Sequence, residues 1–368
     1  MTSVEVRAGA RVYTALIRSG LLETIGSTIG KTLRGPRCAI ITDTNVAPRF
    51  GNQVKQSLST AGFEPTLITI PAGEKTKTFE QAGNTCNRMI AAGLDRQSFV
   101  IGLGGGVVGD LSGFVAAIFE RGIPHVQIPT TLLAMVDSSI GGKTGVNTIA
   151  GKNLIGAFHH PSLVIDDVDV LKTLPRREFN QGFAEMVKHA IIADAAMFAG
   201  LKENVARASG LRTGTDASGT LALQSLIRRN IEIKSRIVAK DELDRSGERA
   251  SLNFGHTVGH AIERAVDYAE FLHGEAVSLG IVAACAISMK KAGLPKGQQE
   301  AIVELLRAFD LPTRLPPNFP REKIFDALPF DKKFEGGKIR FVVTSAIGSA
   351  HLSSDVTKED IREAVNEL

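Results

Sequence analysis

The sequence predicts two domains: an α/β domain with a Rossmann-like parallel sheet over residues 1–175, then a mainly α-helical domain over 176–368. In the first half, short apolar runs alternate with amphipathic segments, and a glycine-rich turn follows one of the runs. After about Pro175, apolar residues recur at helical spacing instead. Alternating strands and helices are typical of a parallel sheet with crossover helices. We expect the active site in the cleft between the domains, where ligands usually bind.

The predicted strands of the first domain begin with a hairpin and continue as apolar runs closed by polar residues or proline. Continuous apolar runs of this length are expected of strands that are buried on both faces. The predicted strands are 4–6, 12–17, 38–42, 66–70, 98–102 and 125–128, with amphipathic helices near 46–61, 77–92 and 109–119.

The second domain is predicted to consist mainly of helices, because its apolar residues follow the helical period. The polar stretch 202–220 is interpreted as a surface connection, and residues 339–344 as a strand. Thr357-Lys-Glu-Asp360 is a capping box that opens a last helix. The other predicted helices are 178–201, 221–240, 257–269, 276–291 and 298–308.

Composition argues against nucleic-acid and membrane partners. The chain of 368 residues carries a formal charge of only +4 and has no Trp and two Tyr, so a basic or base-stacking surface is not indicated. Its most apolar run, 276–289, is shorter than the roughly 20 residues that span a bilayer. Three separate cysteines without a CxxC pair indicate reduced thiols and a cytoplasmic location.

Three of the eight histidines lie close together, at positions 256, 260 and 273. His256 and His260 are four apart and share one side of a helix, and His273 follows a break that lets it fold back. Grouped neutral imidazoles suit a Zn-type ion. The HExxH pattern is absent, since Thr257 stands where its glutamate would be. The alternative interpretation is a helix cap or a pair of hydrogen-bonded core histidines.

Two further segments could bind phosphate groups. Gly104 to Gly109 satisfies GxGxxG between a strand and a helix, where backbone N–H groups can approach a pyrophosphate. It lies too far along the chain for a standard Rossmann opening, so Asp43 could hold the ribose, or the turn could simply pack helix on sheet. Gly-Gly-Lys143-Thr lacks the first glycine of a P-loop, yet Lys143 remains a candidate anion ligand.

A carboxylate that could complete a metal site lies in Glu185-Met-Val-Lys188-His189. Glu185 and Lys188 are three apart on a predicted helix, and the neighbouring Phe183 and Val187 favour burial. An exposed ion pair is the alternative interpretation. We therefore take Glu185 as the candidate carboxylate ligand.

Taken together, these motifs resemble the 3-dehydroquinate synthase family of sugar-phosphate cyclases. The resemblance extends over nearly the whole chain, and the motifs occur in the same order. It is carried by residues 71–77, 104–110, 129–147, 152–156, 185–189, 252–263, 273–275 and 331–333.

The resemblance implies a lyase of the shikimate pathway that uses NAD and one divalent metal ion, Zn or Co. Its substrate would be a small anionic sugar-acid phosphate, 3-deoxy-D-arabino-heptulosonate 7-phosphate. NAD would oxidise one hydroxyl transiently, phosphate would be eliminated, the ketone would be reduced again, and an aldol step would close the 3-dehydroquinate ring. A homodimer is also implied, in which Arg121 reaches the neighbouring site.

The resemblance also implies residue roles. The metal ligands would be Glu185, His256 and His273, which replaces the pairing of His256 with His260 that helical spacing alone suggests. His260 would assist proton transfer. Phosphate would be held by Lys152, Asn153, Lys332 or Lys333, and Arg121. The remaining substrate groups would contact Asp137, Lys143, Lys188, Lys234, Arg249 and Asn253. NAD would be bound by Asp43, Asn45, Glu74, Lys77, Gly105, Gly106, Val107, Asp110, Thr130, Thr131, Lys143, Lys152 and Thr173.

Three alternatives remain at the level of sequence. Another sugar-phosphate cyclase, such as 2-deoxy-scyllo-inosose or 2-epi-5-epi-valiolone synthase, would share the NAD and metal sites but use a substrate without a carboxylate. A metal-dependent glycerol or alcohol dehydrogenase would release NADH. A non-catalytic metabolite-binding protein would have no need of a metal site.

Overall fold

The computed structural model describes residues 2–203, 217–266, 270–328, 334–335 and 338–368. The chain divides into two compact units. The first comprises Met1–Leu174 and Gly214–Leu243, and the second comprises Pro175–Thr213 and Asp244–Leu368. The predicted fold class is confirmed, because the N-terminal part is an α/β structure with a parallel sheet and the C-terminal part is mainly helical.

Among the described residues, seven strands form the central sheet of the first unit, in the order β1-β2-β9-β6-β5-β3-β4. β1 is antiparallel to β2, and every other neighbouring pair is parallel. The apolar runs recognised in the sequence form its buried centre. The strands are β1 (Thr2–Ala8), β2 (Arg11–Arg18), β3 (Arg37–Asp43), β4 (Glu64–Ile70), β5 (Phe99–Gly104), β6 (His125–Pro129) and β9 (Leu163–Asp167).

Strand β9 was not predicted from the sequence, and it ends in two acidic residues. The buried Asp167 carboxylate accepts hydrogen bonds from the backbone N–H groups of Gly20 (3.0 Å), Leu22 (2.8 Å) and Asp169 (3.1 Å). Aspartate has a low strand propensity, but it is retained here because its carboxylate accepts hydrogen bonds from backbone N–H groups of the turn after β2. Asp167 therefore fastens the antiparallel edge of the sheet to β9.

The helices of the first unit include the predicted crossovers. They are α1 (Ile25–Ile29), α2 (Asn52–Thr60), α3 (Phe79–Ala91), α4 (Gly106–Ile118) and α7 (Ala217–Lys240). A Cβ at Gly102 of β5 would lie 2.1 Å from the Ser112 Oγ, so α4 packs on the sheet at a distance that only glycine permits.

Helix α7 requires a change to the predicted division at residues 175 and 176. Its residues belong to the first unit, where the helix packs against β1, β2 and the turn Ala134–Ser138. The sequence pattern identifies the helix, but the period of its apolar residues does not identify the surface that covers them. The first unit therefore includes a segment from beyond residue 175.

A hairpin of β7 (Lys143–Thr148) and β8 (Gly151–Phe158) begins at Lys143, in a region for which the sequence analysis predicted no strands. The sequence did not indicate these strands, because the hairpin is rich in glycine, asparagine and lysine, which are depleted in strands. The Thr144 hydroxyl donates to the Ala157 carbonyl across the pair at 2.9 Å. The buried Val146 joins the apolar cluster beneath α4.

The second unit is mainly helical, as predicted. Its helices are α5 (Arg176–Ala193), α6 (described over 195–203), α8 (His256–Ala265), α9 (His273–Lys291), α10 (Lys296–Ala308), α11 (Arg321–Ala327) and α12 (Lys358–Asn366). The predicted capping box is confirmed at Thr357 and Asp360. Near the predicted strand at 339–344, the structure has β10 (Phe334–Glu335), β11 (Lys338–Ile339), β12 (Phe341–Ala346) and β13 (Ser349–Ser353).

None of the helices in the described ranges combines the length and the hydrophobicity that a bilayer span requires. Most of the predicted connection 202–220, and the end of the predicted helix 257–269, lie outside the described residues.

We expect Asp167→Ala to lower the free energy of unfolding of the first unit by about 3 kcal/mol, because three backbone donors lose their acceptor. Urea denaturation would measure the change. Asp169→Ala is the matched control, since its carboxylate makes an exposed ion pair with Lys172 and should cost under about 1 kcal/mol. Equal losses in the two variants would contradict the role assigned to Asp167.

Candidate metal and cofactor site

Three side chains of the second unit form a candidate metal site. Glu185 lies in α5, His256 is the first residue of α8, and His273 is the first residue of α9. One ligand atom from each lies within 4.8 Å of the others. Glu185 is fully buried, whereas His273 is partly accessible. Two imidazoles and a carboxylate with one accessible side match the donor set of catalytic zinc-type sites.

Close helix packing brings these residues together. A Cβ at Gly274 would lie 2.1 Å from the Gln181 carbonyl oxygen, so the start of α9 meets α5 with no room for a side chain. A Cβ at Gly280 would lie 1.9 Å from the carbonyl oxygen of Gly255, the residue before α8. Both contacts need a residue without a side chain. Glycine thus sets the distance between the helices that carry the three candidate ligands.

Hydrogen bonds fix the orientation of the two imidazoles. The Nδ1 of His256 donates to the Phe254 carbonyl oxygen at 3.1 Å, and the Nδ1 of His273 donates to Glu263 Oε2 at 3.3 Å. In the neutral form of each ring, which binds a metal ion, Nδ1 carries the proton and Nε2 has the available lone pair. The Nε2 atoms lie 3.3 Å (His256) and 3.6 Å (His273) from Glu185 Oε1. The three donor atoms therefore converge.

Burial and neighbouring charges control the ionisation of this group. Burial alone would raise the pKa of Glu185, but the paired Lys188 ammonium and His256 hold that pKa well below its ordinary value. Burial lowers the pKa of His256, although Glu185 opposes this. Burial would also lower the pKa of His273, but the Glu263 and Glu185 carboxylates raise it to about 10. The position between the Glu263 and Glu185 carboxylates therefore favours a positive charge.

His260 does not join His256 in a ligand set. The ring of His260 is exposed, lies edge-on to His256 with centroids 5.3 Å apart, and is 5.9 Å from the His273 ring. No group of converging donor atoms among the described residues includes both His256 and His260. The geometry therefore does not support the pairing suggested by helical spacing alone. A position beside the site leaves His260 accessible for contact with a bound molecule.

Glu263 is a functional candidate that sequence reasoning missed. It is 2% exposed and hydrogen-bonds a candidate metal ligand, an arrangement that orients the imidazole and raises its basicity. The sequence signal that could have identified Glu263 is its position in the helical segment of His256 and His260, seven residues after His256. Two helical turns place residues on one face.

The predicted NAD-binding residues of the first unit gather at one edge of its sheet. Parallel strands end there, and ligands of open α/β sheets bind at that edge. Asp43 ends β3 with Asn45 after it, and Glu74 and Lys77 follow β4. Gly105, Gly106, Val107 and Asp110 follow β5, Thr130 and Thr131 follow β6, and Thr173 ends the turn after β9.

Backbone access at the start of α4 is preserved by glycine. A Cβ at Gly105 would lie 3.1 Å from Thr131 Cγ2, and a Cβ at Gly106 would lie 3.1 Å from Ser138 Oγ. The helix begins at Gly106, so its first backbone N–H groups are unpaired within the helix. This geometry suits a phosphate group.

Asp43 makes hydrogen bonds of its own at this edge. Its Oδ1 accepts from the backbone N–H groups of Asn45 at 2.8 Å and Val46 at 3.0 Å. These bonds fix the carboxylate at the end of β3.

A buried charge network lies beside the glycines. The Lys77 Nζ donates to Asp110 Oδ2 at 2.7 Å and lies 3.7 Å from Glu74 Oε1, which also accepts from Asn147 Nδ2 at 2.7 Å. Burial alone would lower the pKa of Lys77, but the two carboxylates raise it. Burial raises the pKa of Asp110, and Lys77 opposes this. The network holds Lys77 and Glu74 in fixed positions.

A second pair in the first unit joins two predicted substrate residues. The Lys234 Nζ donates to the Asp137 carboxylate at 2.8 Å and to its carbonyl oxygen at 2.7 Å. Lys143 begins β7, and Lys152 and Asn153 lie at the start of β8. Asn153 has a φ of 55°, a left-handed conformation that asparagine tolerates.

The remaining predicted residues are distributed between the units. In the second unit, Arg249 is buried and Asn253 half-buried in the turn Glu248–Asn253. Arg121 of the first unit lies exposed in a turn with a φ of 66°, and Lys332 and Lys333 lie outside the described residues. The expectation of an active site in a cleft between the units stays a prediction.

Comparison with known proteins identifies the family. Residues 67–181 match the 3-dehydroquinate synthase N-terminal family, and residues 182–334 match the 3-dehydroquinate synthase C-terminal family. A 3-dehydroquinate synthase from Desulforamulus reducens is 43% identical over 98% of this chain and 98% of its own length. The chain belongs to the 3-dehydroquinate synthase family. The resemblance recognised from the sequence is thereby confirmed.

Solved structures support this assignment. The 2-epi-5-epi-valiolone synthase ValA of Streptomyces hygroscopicus subsp. jinggangensis, with NAD⁺ and Zn²⁺ bound, is 28% identical, covers 98% of each chain and has a TM-score of 0.87. A 2-deoxy-scyllo-inosose synthase complexed with carbaglucose-6-phosphate, NAD⁺ and Co²⁺ has a TM-score of 0.89 with both chains fully covered; at 24% identity it shows the fold alone.

We expect Glu263→Gln to weaken divalent-metal affinity by about 10- to 100-fold, because His273 loses the carboxylate that orients it. Competition with a chromogenic chelator would measure affinity directly and without substrate. Glu275→Gln is the matched control, since this residue binds Arg177 rather than a histidine. Unchanged metal affinity in Glu263→Gln would contradict the proposal that Glu263 orients His273.

Proposed function

We propose that the protein is an NAD- and divalent-metal-dependent cyclase that converts 3-deoxy-D-arabino-heptulosonate 7-phosphate to 3-dehydroquinate and phosphate. The observation that carries the proposal is the convergence of Glu185, His256 and His273 within 4.8 Å in a chain of the 3-dehydroquinate synthase family. The relative at 43% identity over almost the full length carries that activity in its name.

The donor set fits a divalent ion of the zinc or cobalt type. The carboxylate oxygens of Glu185 are buried and accept no hydrogen bond of ordinary geometry within the described ranges, although Lys188 lies beside them. Buried oxygens of this kind ordinarily have a partner. Both Nε2 atoms lie within 3.6 Å of Glu185 Oε1, so an ion held by Glu185, His256 and His273 would satisfy all three residues. Zinc and cobalt accept the same ligands.

The edge of the parallel sheet fits NAD. Gly105 and Gly106 leave the start of α4 open to a pyrophosphate, and the Thr130–Thr131 turn lies against Gly105. Asp43 and Glu74 supply carboxylates for ribose hydroxyls, and the buried Lys77 adds a fixed positive charge. Asn45, Val107, Asp110 and Thr173 complete the proposed NAD-binding set, with Lys143 and Lys152 approaching from the hairpin.

When bound, NAD supplies reversible hydride transfer and the metal ion supplies Lewis acidity that lowers the pKa of a substrate hydroxyl. The chain's own residues supply binding, orientation and charge. In the second unit, Lys188, Arg249 and Asn253 offer donors to hydroxyl and carboxylate groups, and the accessible His260 can exchange a proton with the substrate. In the first unit, the Asp137–Lys234 pair and Lys143 offer further polar contacts.

Phosphate elimination needs positively charged residues around the leaving group. We assign Lys152, Asn153, either Lys332 or Lys333, and Arg121 from a second subunit of a homodimer to this role. Because the departing phosphate can itself accept a proton, no separate side-chain base is required. The free thiols of the described cysteines accord with activity in the cytoplasm.

A carboxylated substrate is favoured over the neutral sugars of other cyclases. Arg249 is 2% exposed and Lys188 is 1% exposed, and buried cations of this kind can bind a substrate carboxylate through charge-assisted hydrogen bonds. The 43% identity to a 3-dehydroquinate synthase against 28% to the valiolone synthase points to the same substrate.

We expect the purified protein, supplied with NAD and Zn²⁺ or Co²⁺, to release inorganic phosphate from the heptulosonate phosphate without accumulation of NADH. A coupled phosphate assay and absorbance at the NADH band would be recorded together. Stoichiometric NADH would identify a dehydrogenase instead. Turnover of a hexose phosphate without the carboxylate would identify another cyclase.

We expect His273→Ala to abolish turnover and to lower bound metal, because a converging donor is lost. His260→Ala should slow turnover while metal content stays at the level of the unaltered protein, since His260 lies outside the ligand set. Metal analysis by mass spectrometry after dialysis distinguishes the two effects. An empty site in His260→Ala would show that the ligand assignment is incorrect.

A further inference from the structure

A second group of converging donor atoms shares His273 with the candidate metal site. His260, Glu263 and His273 each offer one ligand atom, and these atoms lie within 4.8 Å of one another. We call these three residues the outer group, and Glu185, His256 and His273 the inner group. Each group combines two imidazoles with one carboxylate, which is a donor set for zinc-type ions. The roles proposed above for the outer residues do not account for their convergence.

The two groups differ in exposure to solvent. In the inner group, the side chain of Glu185 is fully buried and that of His256 is 10% exposed, whereas that of His273 is 33% exposed. In the outer group, His260 is exposed. The three histidine rings form a nearly equilateral triangle, with centroid distances of 5.3, 5.5 and 5.9 Å. A hydrated ion from solvent therefore reaches His260 before it reaches the buried donors.

Direct entry to the inner group also meets a charge barrier. The buried Lys188 ammonium lies beside the Glu185 carboxylate, and like charges repel more strongly in a protein interior than in water. Removing the hydration shell of an ion in one step is costly as well. Exchange of part of that shell for accessible donors would divide the barrier into two smaller steps.

Resting on the proposed function, we propose that the outer group captures the divalent ion from solvent and delivers it to the inner group, with His273 as the shared ligand. The Nδ1 of His273 lies 3.3 Å from Glu263 Oε2, and its Nε2 lies 3.6 Å from Glu185 Oε1. One ring thus presents a nitrogen to each carboxylate. The two ion positions lie on either side of a single imidazole.

Transfer between the groups is balanced in charge and in protons. With the ion in the outer group, Nδ1 of His273 is its ligand and the Nε2–H points towards Glu185. With the ion in the inner group, Nε2 is the ligand and the Nδ1–H donates to Glu263. The ring moves one proton between its nitrogens through solvent, which converts one neutral tautomer into the other. Each carboxylate binds the ion in one state and accepts the ring proton in the other.

A capture site of this kind changes the rate of metal binding and leaves the affinity of the final site unchanged. The dissociation constant depends only on the free and the fully bound states, so loss of the outer group slows association and dissociation by the same factor. Loss of a ligand of the final site would instead raise the dissociation constant. The two roles are therefore distinguished by measuring both rates.

The test is His260→Ala, compared with His351→Ala, which removes an exposed histidine of β13 that belongs to neither group. Co²⁺ uptake by metal-free protein would be followed by stopped-flow visible absorbance, and release by a chase with excess chelator. His260→Ala should slow uptake and release about tenfold each, because a captured ion is presented to the inner group at high effective concentration. His351→Ala should behave as the unaltered protein, and His260→Glu, which restores a donor, should recover rapid uptake.

Two further measurements detect the outer group directly. The observed uptake rate of the unaltered protein should level off as Co²⁺ rises, because transfer becomes limiting, whereas that of His260→Ala should rise linearly. His256→Ala, which lacks an inner donor, should still bind Co²⁺ weakly, and adding His260→Ala to it should abolish the Co²⁺ spectrum. An unchanged thermal transition shows that each variant is folded.

Equal uptake rates in His260→Ala and the unaltered protein would overturn the proposal. A raised dissociation constant in His260→Ala would also overturn it, since His260 would then be a ligand of the final site. Absence of Co²⁺ binding by folded His256→Ala would show that the outer group holds no ion. None of these measurements uses NAD or the heptulosonate phosphate, so a failure of the proposed reaction is seen separately in the phosphate assay.

Discussion

The second unit depends on one buried charge, the carboxylate of Glu185. An unpaired carboxylate in a protein interior is very unfavourable, so its neighbours must compensate. Lys188 lies beside it on the same helix, and His256 and His273 approach from the starts of two others. Replacing Lys188 would leave the Glu185 carboxylate without its ammonium counter-ion. The chemistry proposed for the site and the stability of its surroundings therefore rest on the same side chain.

Glycines and hydrogen bonds place the groups that compensate the charge of Glu185. Gly274 and Gly280 allow helix backbones to meet at distances that exclude a side chain, and this brings His273 and His256 towards Glu185. The Glu263 carboxylate and the Phe254 carbonyl then select the ring nitrogen that is left with a lone pair. Backbone contact sets the distance, and hydrogen bonding sets the orientation.

Apolar periodicity predicted most of the fold, and it failed where polar residues form buried structure. Runs such as 38–42 and 98–102 are mostly apolar and were recognised as strands, whereas β9 ends in Asp166 and Asp167 and was not. The location of α7 in the first unit was also not predicted, because the apolar pattern of an amphipathic helix does not show which surface covers that helix. In the site, spacing located the histidines but paired His256 with His260, whereas the donor atoms of His256 and His273 converge with Glu185. His273 is seventeen residues from His256, and only the packing of α8 on α9 brings them together.

The two units share a way of keeping charge in place before any ligand binds. In the first, Lys77 lies between Asp110 and Glu74, and Lys234 is bonded to Asp137. In the second, Glu185 lies beside Lys188. Each of these charges has an opposite charge within its own unit. The polar groups are then already oriented, and little reorganisation is needed when charge develops in a reaction. A site built from such pairs loses some binding strength to internal contacts, but it gains fixed geometry, which matters more for a reaction of several successive steps.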